Sequence, residues 1–188
     1  MAEAEPSLRG RLLVASPQLT EATFEHTVVL MLEHTDTGAV GVVLNRPSTL
    51  EVADTVGGWH RLAADPAVVF VGGPVSPRSA IGLAHVGGTV GGDDEWTPVD
   101  GRLGTVDLGR PPEALATPID WVRIFSGYSG WGAGQLENEL RMGGWIVADA
   151  EEDDACTPTP HDLWRTVIRR QPGLTPALAN FPDEPRSN

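Results

Sequence analysis

The tightest constraint on the fold is the stretch Ser126, Gly127, Tyr128, Ser129, Gly130, Trp131, Gly132, Ala133, Gly134, Gln135, Leu136, Glu137. A β-like run, Trp121 to Phe125, precedes it, and a helix-like run ending near Met142 follows. Four glycines in eight residues raise the entropy lost on folding, so the folded chain must need their backbone freedom. The pattern predicts a strand, a tight glycine turn and a helix, with backbone amides exposed where the helix begins.

Three loops of known mechanics fail against this stretch. A phosphate-binding P-loop requires Lys followed by Ser or Thr after its last glycine, but Ala133 and Gly134 follow Gly132. The dinucleotide fingerprint G-x-G-x-x-G meets Gln135 or Glu137 where its third glycine belongs. The nucleophile elbow G-x-S-x-G fits Gly127 and Ser129 and then meets Trp131. A generic helix N-terminus attracts anions, but Glu137 and Glu139 already complement its dipole and would repel a phosphate. Glu137 is also spaced to pair with Arg141 at i,i+4. The stretch therefore reads first as a structural turn and second as a ligand or partner site.

The 188 residues suit one domain and a self-sufficient core. The expected division is a flexible tail over 1–7, an α+β domain over 8–181 with a large mixed β-sheet flanked by a few helices, and a polar tail over 182–188. Glycine and proline together make 38 residues, which favours turn-rich β structure over a helical bundle. The formal net charge is −13, and all 13 basic residues are arginines. The absence of lysine removes Schiff-base, P-loop-lysine and Ser-Lys chemistry. The charge argues against nucleic acid and anionic membrane as partners, which need clustered positive charge. The single cysteine, Cys156, makes no intrachain disulfide and follows four acidic residues that disfavour its thiolate. With an acidic N-terminus and no long apolar run, the sequence is expected to be cytoplasmic.

Strands are expected over 10–15, 26–34, 39–44, 67–71, 79–86, 103–108, 121–125 and 145–148. The run Val28 to Leu32 is apolar on both faces, as in a buried central strand. Thr35, Asp36, Thr37 and Gly38 supply a hairpin turn, and Gly72, Gly73 and Pro74 supply another. Pro47 pushes Arg46 into an extended conformation at the sheet's rim, where its planar fork suits an anion or partner. Helical segments are expected over 18–24, 52–62, 111–116 and 160–170, the last with Thr159 placed to cap it. Asp93, Asp94 and Glu95 lack calcium-loop spacing, and residues 151–154 read as an acidic surface loop.

The histidines 26, 34, 60, 85 and 161 show no metal-ligand spacing. His26 and His34 share a strand face in this reading but would stand about 26 Å apart. Ser129, His85 and Glu137 have the residue types of a catalytic triad, with nothing local that brings them together. No metal and no cofactor is expected.

Several separated motifs then point to a known family. Gly10 to Pro17, Phe24 with the following strand, Gly38 to Pro47, Gly72 to Val75 and Gly127 to Glu137 together resemble the YqgE/AlgH family of bacterial proteins, in the right order and over about residues 8–180. The resemblance implies a complex α+β fold with a large mixed sheet and a cytosolic location. Its AlgH members carry the label of regulators of alginate synthesis without a recognisable DNA-binding domain, and no catalytic residue carries over. The leucine-histidine pair often found after the glycine-proline turn stands here as Ala84-His85.

The reading favoured on these grounds is a non-catalytic protein that engages a partner protein or small ligand. The candidate binding residues are Asn45, Arg46, Gly72, Gly73, His85, Gly127, Ser129, Gly130, Trp131, Gly132, Gly134, Gln135 and Glu137. The alternatives are a hydrolase-like enzyme using His85, Ser129 or Glu137, and a DNA-binding regulator, which the acidic charge disfavours.

Overall fold

The computed structural model describes residues 6–88 and 96–173. Gly91 and Gly92 predict a turn that lies outside them, as do the acidic residues 93–95 and the tail from 182. The described chain forms a ten-stranded sheet with three short α-helices, an α+β fold. The strands are β1 (Leu12–Ala15), β2 (Val28–Thr35), β3 (Gly38–Val43), β4 (Pro47–Glu51), β5 (Val68–Val71), β6 (Val75–Val86), β7 (Trp96–Asp100), β8 (Leu103–Val106), β9 (Ile119–Gly132) and β10 (Trp145–Ala148). The helices are α1 (Val52–Thr55), α2 (Gln135–Arg141) and α3 (Leu163–Arg169). The main path runs β10-β1-β2-β3-β9-β6-β8-β7, and β5 joins β4 to β9. Every pairing between these strands is antiparallel except β5 with β9, so the sheet is mixed as expected.

The fourteen-residue β9 holds this sheet together. Its last residues pair with β3, from Gly38 opposite Gly132 to Gly41 opposite Ser129. Its earlier residues pair with β6 on one edge and β5 on the other. The glycine-rich stretch is therefore strand as far as Gly132, and the expected turn shrinks to Ala133 and Gly134. The expectation of a loop failed because glycine's low strand propensity was overridden by pairing with β3 and, at Tyr128, with β6, where packing against neighbours decides.

Close approach accounts for the inner glycines. A Cβ on Gly73 would stand 2.2 Å from the carbonyl carbon of Tyr128, and one on Gly72 would stand 2.4 Å from the carbonyl oxygen of Gly127. The two backbones cross where no side chain fits. Gly134 serves differently: it adopts left-handed dihedrals at the start of α2 with open space around it.

Alternation in β1 and β2 builds two cores. Leu12, Val14, Val28 and Leu30 face α3 through Leu163, Trp164, Val167 and Ile168. Leu13, Ala15, Val29 and Met31 face Trp131, Leu136 and Trp145 on the opposite side. Cover on both faces is why the run Val28 to Met31 is apolar throughout. A third core packs Val52 and Trp59 against Val69, Ala84, Val86, Val122 and Ile124 of the other half of the sheet. Each buried Val, Leu, Ile or Met side chain among these contributes about 1.5–3 kcal/mol.

Other local expectations shift. The hairpin after β2 has a two-residue loop, Asp36 and Thr37, rather than four. His26 is not in a strand; it sits in a turn at φ 53°. Residues 18–24 form turns rather than helix. The 52–62 segment is α1 followed by a 3-10 helix over Gly57–Leu62, and the 111–116 segment is a 3-10 turn over Pro112–Ala114. A 3-10 turn over Pro160–Asp162 precedes α3, and Thr159 makes no side-chain cap bond. The strands β4 and β7 were not read from the sequence, because prolines and charges interrupt both. The acidic segment 151–154 is not wholly exposed: Asp154 is buried, and its carboxylate takes hydrogen bonds from Arg170 Nη1 at 2.9 Å and from the Glu151 backbone N–H at 2.7 Å.

Candidate functional site

The backbones of three sequence-predicted turns adjoin. Gly72 donates its N–H to Ser126 O at 2.9 Å and accepts at its carbonyl from Val43 N–H at 3.0 Å. Val71 N–H donates to Arg46 O at 2.8 Å. Gly72 and Gly73 lie directly on Gly127 and Tyr128. Their side chains, however, serve different places.

At the glycine end of β9 the polar groups are satisfied internally. Ser129 is fully buried, and its Oγ donates to Gly72 O at 3.1 Å. Gln135 Oε1 accepts from Gly132 N–H at 3.1 Å, occupying the amide that an anion would seek. Gln135 Nε2 in turn donates to Glu139 Oε1 at 3.1 Å. The indole N–H groups of Trp131 and Trp145 both donate to Glu139 Oε2, at 2.9 and 2.8 Å. Glu139 thus ties α2 to β9 and β10. Gly130 and Gly132 carry no close contact that a Cβ would violate.

Glu137 turns to His34 instead of pairing with Arg141. Leu8 N–H donates to His34 Nδ1 at 3.0 Å, which leaves the proton on Nε2 to donate to Glu137 Oε1 at 2.8 Å. That hydrogen bond, before any other cause, holds the Glu137 carboxyl below its ordinary range, and Arg141 adds a weaker charge effect. The pair fastens the start of the described chain to α2.

His85 stands apart from all of this. It pairs in register with Trp121, eight residues along β9 from Ser129, which is about 26 Å. Ser129, His85 and Glu137 therefore form no triad. His85 Nδ1 meets Asp120 Oδ2 at 2.9 Å, its ring stacks on Trp121 at 5.9 Å, and Glu152 lies 3.5 Å from Nε2. It opens onto a cavity of about 300 Å³ bordered by Asp100, Arg102, Glu151 and Glu152, and among the described residues no hydroxyl or thiol side chain lines that cavity.

The Asn45-Arg46 turn builds the remaining place. Asn45 Oδ1 accepts from Val28 N–H at 2.9 Å while its Nδ2 donates to His26 O at 2.8 Å, so one side chain fixes the turn at His26 to the end of β3. Arg46 projects at the rim as expected. Its Nη2 donates to Ala22 O at 3.0 Å and to Glu25 O at 3.4 Å. Partial burial pulls its guanidinium below its usual value, and the charge of Glu25 opposes that shift. Arg46 lines a hollow of about 200 Å³ with His26, His161, Trp164 and Arg165. Sequence reasoning named Asn45 and Arg46 here and missed His26, His161 and Arg165. The only local signal was the string of basic side chains on the 160–170 helical segment, next in space to a rim arginine.

Two further residues are structural. Arg123 is buried; its Nη1 donates to Thr157 O at 3.2 Å, its Nη2 donates to Asp65 O at 2.6 Å, and it lies over the Phe70 ring at 4.2 Å. Burial lowers its pKa to about 10, which leaves it charged at neutral pH. Burial, and then Asp153, push the Cys156 thiol up, against a smaller pull from Arg123. Among the described residues no group of three His, Cys, Asp or Glu side chains is placed to hold a metal ion, and no helix is long and apolar enough to cross a membrane.

Known proteins resemble this chain over nearly its whole length. A family model described as DUF179, AlgH-like, matches residues 12–175. A UPF0301 protein of Streptomyces coelicolor is 50% identical over 97% of this chain and 96% of its own, and one from Streptomyces avermitilis is 49% identical with the same coverage. The crystal structure of protein DIP2367 from Corynebacterium diphtheriae superposes with a TM-score of 0.87 at 32% identity, covering 96% of this chain and 95% of that one. The solution structure of the AlgH protein from Pseudomonas aeruginosa, also labelled UPF0301, gives a TM-score of 0.65 at 27% identity over 98% and 100% of the two chains. A family match across the domain, with the same fold in two solved relatives, makes this chain a member of the AlgH-like, UPF0301 family.

Proposed function

We propose that the protein is a non-catalytic binding protein that engages a small ligand or a partner at the rim where the Asn45-Arg46 turn meets α3. The observation that carries this reading is the contrast in side-chain use. Ser129, Gln135 and Glu137 spend their polar atoms on other groups of the chain, while Arg46 is held by two carbonyls at the edge of a solvent-facing hollow. A regulatory role in the cytoplasm fits a chain with one cysteine and strong negative charge, and it would be exerted through what occupies that rim.

A thermal-shift screen of the purified protein against phosphorylated metabolites, nucleotides, carboxylates and short duplex DNA tests the reading. A ligand at 100 times its Kd stabilises the fold by about 2.7 kcal/mol. The expected result is a hit that disappears in Arg46→Gln, with no effect of Gly132→Ala. A hit abolished by Gly132→Ala and indifferent to Arg46 would contradict the placement.

The enzyme reading keeps one supporting observation, the His85-Asp120 pair beside the 300 Å³ cavity. With no nucleophilic side chain there among the described residues, His85 would have to activate water. Turnover of activated ester or phosphoester substrates that is lost in His85→Gln would favour it over the binding reading.

A further inference from the structure

We propose that the hollow between β3 and α3 is a binding site for a phosphate group, either free orthophosphate or the terminal group of a small phosphate ester. This deepens the binding reading above and rests on its location.

The charge of the hollow is opposite to that of the molecule. In a chain of net charge −13, Arg46, Arg165, His26 and His161 converge on one space of about 200 Å³. They come from three separate parts of the sequence, so the fold assembles the cluster. Glu25 is the carboxylate on its wall. Glu25 takes a hydrogen bond from Arg46 through its backbone carbonyl, and among the described residues no carboxylate lies within salt-bridge distance of Arg46. Arg46 is half-buried, its hydrogen bonds go to two carbonyls, and only the charge of Glu25, beyond ion-pair distance, offsets its own, so an incoming oxyanion supplies the direct partner it lacks.

The geometry is also fixed in advance. Both hydrogen bonds to Arg46 use Nη2. They set the plane of the guanidinium and leave its Nε and Nη1 as donors for an incoming oxyanion. His26 is held in a left-handed conformation at φ 53°, a costly state for a residue with a side chain. Asn45 Nδ2 grips its carbonyl, and its ring lies 4.5 Å from that of Trp164, whose indole N–H is anchored on Ala15 O at 2.8 Å. Strain maintained by surrounding bonds is what a positioned binding group requires.

Size narrows the ligand. About 200 Å³ corresponds to roughly seven water molecules at liquid density and lies below the usual range for drug-sized ligands. The hollow takes a small anion or the anionic end of a larger molecule. Several cationic and hydrogen-bonding groups around one point favour a tetrahedral dianion over a monocarboxylate.

Isothermal titration of the full-length protein with inorganic phosphate at neutral pH and low ionic strength tests this, beside glycerol 3-phosphate and acetate. Saturable one-to-one phosphate binding is expected, at least tenfold tighter than acetate. It should weaken at least tenfold in Arg46→Gln and again in Arg165→Gln, and stay unchanged in Arg61→Ala. Because Arg46→Gln also loses its bonds to Ala22 and Glu25, the exposed substitution His161→Gln supplies a second variant, expected to weaken binding severalfold in a folded protein. Tighter binding of glycerol 3-phosphate than of phosphate identifies an ester as the source; equal binding identifies orthophosphate. No saturable phosphate binding, equal affinity for acetate, or binding that survives all three substitutions overturns the proposal. If phosphate fails while another screened ligand depends on Arg46, only the phosphate chemistry falls. If no screened ligand depends on Arg46, the binding reading falls with it.

Discussion

Two regions of this protein invite opposite readings from sequence and from structure. The glycine-rich end of β9 is the most conspicuous stretch of the chain, yet its backbone pairs with β3 and, at Tyr128, with β6, and its polar side chains bond within the chain. The Arg46 hollow has no motif, yet it gathers four cationic or protonatable side chains around open space. The comparison teaches that glycine density reports backbone proximity, which a crossing of strands demands as much as a ligand does. A binding place built from the turn after β3, the turn before β2 and the α3 segment leaves no contiguous motif, only Asn45 and Arg46 beside Pro47.

The comparison breaks first within the glycines themselves. Gly73→Ala places a Cβ against the Tyr128 backbone in a glycine-favoured conformation, and backbone cannot move aside as a side chain does. A loss of about 4 kcal/mol is expected by urea unfolding, at the severe end for point substitutions. Gly132→Ala, in open space, should change stability by at most about 0.5 kcal/mol. Equal effects at the two positions would refute the crossing explanation. Next in size is Asp154→Ala, which strips Arg170 of its buried partner and should cost about 3 kcal/mol. Asn45→Ala leaves Val28 N–H and His26 O without their partner and should cost about 2 kcal/mol. It should also release His26 and weaken whatever the hollow binds, whereas Asp154→Ala in a folded sample should not.

The smallest effect is one of pH. The Glu137 carboxyl is held below its ordinary value by His34, so its stabilising contribution is present above the unfolded carboxyl's pKa of about 4.3 and is lost as pH falls through the lower folded value. Glu137→Gln should therefore be less stable than the parent chain at pH 6 and approach it near pH 3, as read by thermal melts across that range. A stability difference that stays constant down to pH 3 would remove this linkage.

Much of the fold was legible. The apolar run Val28 to Leu32, the paired run ending at Leu44 and the strand Trp145–Ala148 were marked by composition and by turn residues on either side. The family was legible too, because its separated motifs stand in order along the chain. What local sequence misjudged was set by distant contacts. The glycine run became strand because β3 and β6 pair with it, and β4 and β7 formed despite prolines because neighbours supply their ladders. In the candidate site, Asn45 and Arg46 were readable from the turn before Pro47. His26, His161 and Arg165 were not, since the Asn45 bonds to the turn before β2 and the packing of α3 on the β1-β2 face bring them to Arg46.

The central claim is that ligand contact occurs at the Arg46 hollow and not on the glycine-rich end of β9. Amide chemical shifts of the ¹⁵N-labelled protein, followed during titration with inorganic phosphate, test it most directly. The account predicts saturable shifts confined to residues 24–27, 45–46 and 161–166, with 127–134 unmoved. Shifts centred on 127–134, with the Arg46 region silent, would contradict it.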